Sequence, residues 1–128
     1  MKSTLRFAIV GCGKIAQRHA MYITNKATLV AVCDIDRKAA MALADKYGVT
    51  PYLSLSEMLL AEKEIDVLVV CTPNGLHAEH TIMGLEAGCH VLCEKPMAID
   101  QNDCIKMINA SERTGKKILV VKQNRYNP

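Results

Sequence analysis

Short apolar runs alternate with segments of helical periodicity along the whole chain, and this alternation restricts the fold more than any other feature. Leu5 to Val10 is an apolar run that stops at Gly11-Cys12-Gly13, after which Ile15, Ala16, His19, Ala20 and Ile23 recur at helical spacing. Leu29 to Cys33 is a second β-rich run, followed by a helix-favouring stretch from Ala39 to Tyr47 that Gly48 ends. Ser54 with Glu57 forms a capping box for a short helix through Ala61. Ile65 to Cys71 is nearly continuous in Val, Leu and Ile, as a strand covered on both faces requires. Thr72-Pro73-Asn74-Gly75 then breaks the chain before a helix from Leu76 to Ala87, and Gly88 ends that helix ahead of a strand from Cys89 to Cys93. Asp100 caps a helix to Thr114, Gly115 closes it, and Ile118 to Lys122 is the last strand. Connections this short between alternating elements imply an α/β fold in which a doubly wound parallel sheet carries helices on both faces. The 128 residues suffice for one such domain and its core.

The first turn carries a ligand signature. Gly11-x-Gly13-x-x-Ala16 fits the dinucleotide fingerprint: the first glycine permits the sharp turn, the second lets a pyrophosphate approach the backbone, and the small third residue lets helix and strand pack closely. Cys12, Lys14 and Ile15 complete the turn and the helix start, whose free N–H groups face phosphates. Asp34 ends the second strand 18 residues beyond Ala16, where a carboxylate meets an adenosine ribose. A carboxylate accepts hydrogen bonds from ribose hydroxyls and repels a 2′-phosphate, so Asp34 favours NAD over NADP. Arg37 lies near enough to stack on adenine or to clasp a phosphate, which leaves NADP as the less favoured alternative. Together these features describe a Rossmann-type unit.

Composition excludes several other classes. Half of the residues are hydrophobic and 23% charged, a globular balance. The net charge of +3 is spread rather than blocked, which gives nucleic-acid or membrane binding no support. The apolar run after the basic N-terminus ends at Gly11, too early for a signal peptide, and no run approaches a membrane span, so a cytoplasmic protein is expected. The six cysteines include no C-x-x-C pair and read as reduced, small buried hydrophobes. Cys33, Cys71 and Cys93 end strands near His77, but no ligand pair has metal-site spacing and no metal is expected. His19, His80 and His90 read as structural or surface residues.

Two later segments add a family resemblance. Cys71-Thr72-Pro73-Asn74-Gly75-Leu76-His77 and Cys93-Glu94-Lys95-Pro96 resemble the C-[ST]-P-N-x-x-H and C-E-K-P signatures of the glucose–fructose oxidoreductase, inositol dehydrogenase and rhizopine-catabolism family. With the glycine turn, these motifs span nearly the whole chain in the family's order. The resemblance implies that Cys71, Thr72, Pro73, Asn74 and His77 border the cofactor's ribose and phosphates. It also implies that Glu94 helps to hold the nicotinamide ribose and that Lys95 lies beside the reacting carbon. A lysine near a cationic nicotinamide ring has its ammonium form disfavoured and accepts a hydroxyl proton more readily, which suits Lys95 to catalysis. A capping or half-buried structural role is the alternative for His77.

Lys122-Gln123-Asn124-Arg125-Tyr126-Asn127-Pro128 resembles a stretch of family members that oxidise position three of UDP-linked N-acetylglucosaminuronic acids. That resemblance implies that Gln123, Asn124 and Arg125 face the nicotinamide and the substrate, with a sugar or UDP-sugar acid as substrate. A polar linker is the alternative reading. Residues 1–122 are thus expected to form the nucleotide-binding domain, and residues 123–128 to begin a connection to the family's second α/β domain. That second domain, which supplies the substrate floor, the usual oligomer contact and an Asp-x-x-x-His pair, is absent from this sequence. The expectation is an NAD-dependent oxidoreductase acting on an alcohol carbon, of which this chain binds cofactor without turnover. The alternatives are a stand-alone NAD-binding or sensing module and an unrelated nucleotide-fold enzyme such as a methyltransferase; Glu94-Lys95-Pro96 favours the dehydrogenase over the latter.

Overall fold

A computed structural model describes residues 4–94 and 100–121. Its elements are β1 (Arg6–Val10), α1 (Lys14–Lys26), β2 (Thr28–Cys33), α2 (Arg37–Tyr47), β3 (Thr50–Tyr52), α3 (Leu55–Ala61) and β4 (Val67–Val70). A single 3₁₀ turn at Asn74–Leu76 follows, then α4 (His77–Glu86), β5 (His90–Glu94), α5 (Gln101–Thr114) and β6 (Ile118–Val121). The strands form one parallel sheet in the order β3-β2-β1-β4-β5-β6. The order reverses between β1 and β4, so the loops after these two strands part to opposite sides and open a crevice at their C-terminal ends.

Alternation along the strands divides the core into two layers. Ile9, Val32 and Val69 point to one face, where Ala16, Ala20 and Ile23 of α1 and Ala40, Leu43 and Ala44 of α2 cover them. Ala8, Val10, Leu68, Val70, Val91 and Cys93 point to the other, against Leu55 and Met58 of α3, Leu85 of α4, and Met107 and Ala110 of α5. The pairing of β1 with β2 shifts by one residue between Phe7 and Ala8, so that Leu29 faces one layer while Val30 and Ala31 both face the other. This bulge restores the inward alternation toward the C-terminal end of β2, where Cys33 precedes Asp34. Gly84 brings α4 close to the sheet, since a Cβ there would lie 2.7 Å from Leu68 Cδ2 and 3.0 Å from Val91 Cγ2.

The expected caps form. Ser54 Oγ accepts from Glu57 N at 3.3 Å, Asp100 Oδ1 accepts from Asn102 N at 2.8 Å, and Gly48 and Gly115 end their helices in the left-handed conformation. Several boundaries differ from the sequence reading by one or two residues, and one strand is additional. Helix α2 starts at Arg37 rather than Ala39, because Asp36 Oδ1 accepts from Lys38 N at 3.0 Å and from Ala39 N at 3.4 Å. The strand expected over 65–71 is confined to Val67–Val70. Strand β3 was not anticipated: it is three residues long and holds Pro51, which lacks an N–H and is tolerated in a sheet at an edge, the place β3 occupies. Among the described residues no helix is long and apolar enough to cross a membrane.

Helix α5 offers a direct test of the layer assignment, because Met107 is fully buried while its neighbour Ile108 is 48% exposed. Met107→Ala is expected to cost about 2–5 kcal/mol through lost burial and the cavity left behind, and Ile108→Ala less than about 1 kcal/mol. Urea unfolding of the two variants beside the wild-type chain measures both.

Candidate functional site

The crevice is built first from backbone. Gly11 N donates to Cys33 O and Cys71 N donates to Val10 O, both at 2.8 Å, which ties the ends of β1, β2 and β4 together. Gly11 has φ +93, and a Cβ on it would lie 2.7 Å from the carbonyl carbon of Cys71 and 2.8 Å from Thr72 N. Both its conformation and this contact therefore require glycine. Gly13 differs. It caps α1 with φ −85 and supplies no side-chain cap, and a Cβ there would meet nothing within 4 Å. The start of α1, with Lys14 exposed and Ile15 half-buried, thus presents its first N–H groups and the positive end of the helix dipole to an open space.

Asp34 joins this turn to β2. Its Oδ2 accepts from Cys12 N at 2.8 Å, and its Oδ1 accepts from Asp36 N at 2.8 Å. Both oxygens are held by backbone, yet each retains a lone pair for a further donor. A cleft of about 760 Å³ lies over the turn, lined among others by Gly11, Gly13, Asp34, Cys71, Thr72 and Pro73. Arg37, the exposed first residue of α2, follows directly after the capping Asp36, itself a lining residue. The cleft therefore offers helix N–H groups for an anion in its middle and a carboxylate for hydroxyl groups at the β2 end. An extended dinucleotide fits that combination.

The β4–β5 side is organised by side chains. Thr72 Oγ1 and His80 Nδ1 share a hydrogen bond at 3.0 Å, and His80 lines the cleft. Burial lowers the His80 pKa from its usual range, with Glu79 opposing and His77 reinforcing the shift. His77, the first residue of α4, is 2% exposed. Asn74 opens the 3₁₀ turn. Glu94, at the end of β5, pairs with His19 Nε2 of α1, and the two side chains are 13% and 17% exposed. Lys95 and Gln123 lie outside the described residues.

The thiols around the cleft are held in their neutral form. Burial, with the negative charge of Asp34 next in size, pushes Cys12 up to about 12 and Cys33 up to about 11. Burial, then Glu94, raises Cys71 likewise. Cys12 Sγ donates to Cys33 O at 3.3 Å, and Cys93 Sγ lies 3.0 Å from Thr81 Oγ1. Such thiols pack as small apolar groups and are poor nucleophiles.

Sequence reasoning missed two contributors. His80 has a signal, since it stands three residues after His77 and so shares the cleft-side end of α4. His19 has none, since its partner Glu94 is 75 residues away.

Residues 5–122 match the oxidoreductase family with the NAD-binding Rossmann fold. The D-glucoside 3-dehydrogenase of Escherichia coli is 44% identical over 117 residues, a match that covers 89% of this chain and 33% of that protein. The crystal structure of the WlbA dehydrogenase from Bordetella pertussis, a complex with NADH and UDP-GlcNAcA, superposes with a TM-score of 0.90 at 42% identity, covering 97% of this chain and 38% of that one. The myo-inositol 2-dehydrogenase of Lactobacillus plantarum gives a TM-score of 0.85 at 31% identity, covering 93% and 36%. The chain thus spans about a third of the length of the relatives it matches.

The two glycines of the turn separate structure from binding. Gly11→Ala is expected to destabilise the chain by at least about 2 kcal/mol, from the positive φ and the backbone clash together. Gly13→Ala is expected to stay within about 1 kcal/mol of wild type, because its Cβ enters open space and only the cap preference changes. Chemical denaturation of both variants is the measurement.

Proposed function

The chain belongs to this oxidoreductase family, and on that premise we propose that it is the NAD-binding part of a dehydrogenase that oxidises an alcohol carbon of a sugar or nucleotide sugar. The observation that carries the proposal is the pairing of an uncapped α1 N-terminus with a carboxylate, Asp34, bound to the same glycine turn. Gly13, Lys14 and Ile15 would hold the pyrophosphate, with helix N–H groups offsetting its charge. The adenosine ribose hydroxyls donate to Asp34, whose charge disfavours a 2′-phosphate. Thr72, Asn74 and Glu94 would hold the nicotinamide half.

Bound NAD supplies the hydride acceptor. The chain's own part in the chemistry is to orient that group and to take up the hydroxyl proton at Lys95 Nζ as the hydride leaves the alcohol carbon. Sugar substrates are suggested by the activities of the relatives: a glucoside dehydrogenase, inositol dehydrogenases and an enzyme crystallised with UDP-GlcNAcA.

Titration calorimetry tests the cofactor assignment. The chain is expected to bind NAD(H) more tightly than NADP(H), and Asp34→Asn to weaken NAD by about 1–3 kcal/mol while narrowing that preference. Absence of NAD binding at millimolar concentration would overturn the reading. Lys95→Ala is expected to leave NAD affinity within about tenfold of wild type, because proton uptake and not cofactor anchoring is its task; a larger loss in the same titration would make it an anchor.

A further inference from the structure

We infer that His19, in the middle of α1, is a positioning residue that aims the Glu94 carboxylate at the ribose of the nicotinamide half, so that α1 serves both ends of the cofactor.

The inference rests on the function proposed above and starts from the contact between His19 Nε2 and the Glu94 carboxylate. Glu94 is 13% exposed on its side chain, and a carboxylate withdrawn from water to that extent requires a fixed partner. The strand register states on which side of the sheet it lies. Val70 pairs with Cys93, so Glu94 stands beside Cys71, one residue past the last pair, and its charge raises the Cys71 pKa. Cys71 is a lining residue of the cleft and packs against the layer that α1 covers. Glu94 is thus at the β4–β5 end of the cleft on the α1 side, opposite in the sheet to Asp34 at the β2 end. A dinucleotide laid across the switch point has its adenosine half over β2 and its other half over β4 and β5.

The two acids are held in different ways. Asp34 accepts from backbone N–H groups of its own turn and of the glycine turn. Glu94 is held by a side chain of a helix 75 residues earlier. A hydrogen-bonded imidazole fixes the plane of the carboxylate and occupies one of its oxygens, leaving the other to accept from a ribose hydroxyl. His19 acts through Glu94 and is not itself placed on the cofactor.

Cofactor fragments separate positioning from simple support of α1. ADP contains the adenosine and both phosphates but lacks the second ribose; ADP-ribose adds that ribose without the nicotinamide ring. Affinities of the 128-residue chain for ADP, ADP-ribose and NAD are measured by calorimetry for wild type, His19→Ala and His19→Gln. His19→Ala is expected to weaken NAD and ADP-ribose about tenfold, the effect of a hydrogen bond to a charged group, and to leave ADP within about twofold. His19→Gln, which keeps an N–H donor at similar reach, is expected to recover ADP-ribose to within about threefold of wild type. Should the alanine chain not fold, His19→Asn, polar but too short to keep the contact, carries the same expectation. In a Glu94→Ala background, His19→Ala is expected to add no further loss of ADP-ribose affinity. Equal weakening of all three ligands would make His19 a support of α1 and overturn the inference, as would unchanged affinities. Wild-type binding of ADP and NAD with equal affinity would likewise overturn it by removing any grip on the second ribose, while leaving the NAD site standing. Failure of the wild-type chain to bind NAD at all would fell the underlying reading and the inference with it.

Discussion

The Cys12 N–H bond to Asp34 is the interaction on which the cleft depends, because it locks the glycine turn to the C-terminal end of β2. Gly11 makes this geometry possible by turning with a positive φ directly beneath the Cys71 carbonyl, where no side chain fits. The turn is therefore pinned from two sides, by β2 through Asp34 and Cys33 and by β4 through Cys71. What remains open is the space around Gly13 and the start of α1. A rigid rim around an empty centre suits a ligand whose affinity comes from preorganised N–H groups rather than from a flexible loop closing over it.

Charge is distributed to match. The helix dipole places partial positive charge at the α1 start, and Asp34 places a full negative charge one hydrogen bond away. The two would neutralise each other if the carboxylate capped the helix, but it accepts from Cys12 N, before the first helical residue, and leaves the later N–H groups unclaimed. The same negative charge, together with burial, keeps the neighbouring thiols neutral, so Cys12 and Cys33 act as packing groups in spite of their place in the cleft.

Legibility in the sequence followed the range of the interactions. The glycine turn, Asp34, the caps at Ser54 and Asp100 and the glycine helix ends depend on residues within a few positions of each other or on strand ends that the alternation brings together, and the structure has them where the pattern implied. Strand β3 escaped because a three-residue edge strand containing proline has neither length nor period to detect. The start of α2 was misplaced because Asp36 was passed over as a cap in favour of the alanine-rich run after it. His80 went unread because it lies outside the motif, one turn after the buried His77, yet it lines the cleft.

The two ends of the cleft differ in how much they ask of the rest of the fold. At the β2 end the acid and the turn it serves are 22 residues apart and are joined by the Asp34 carboxylate accepting from a backbone N–H, so that end depends on Asp34 and the glycine turn alone. At the β5 end Glu94 depends on a histidine from α1, and Thr72 on a histidine from α4, so helices on opposite faces of the sheet must both be docked before the site is in place. Correct placement of that end therefore reports on packing of both core layers, whereas the β2 end requires little beyond β1, β2 and β4. A loosened α1 or α4 would blur the β5 end first, which makes that end the more demanding test of the native fold.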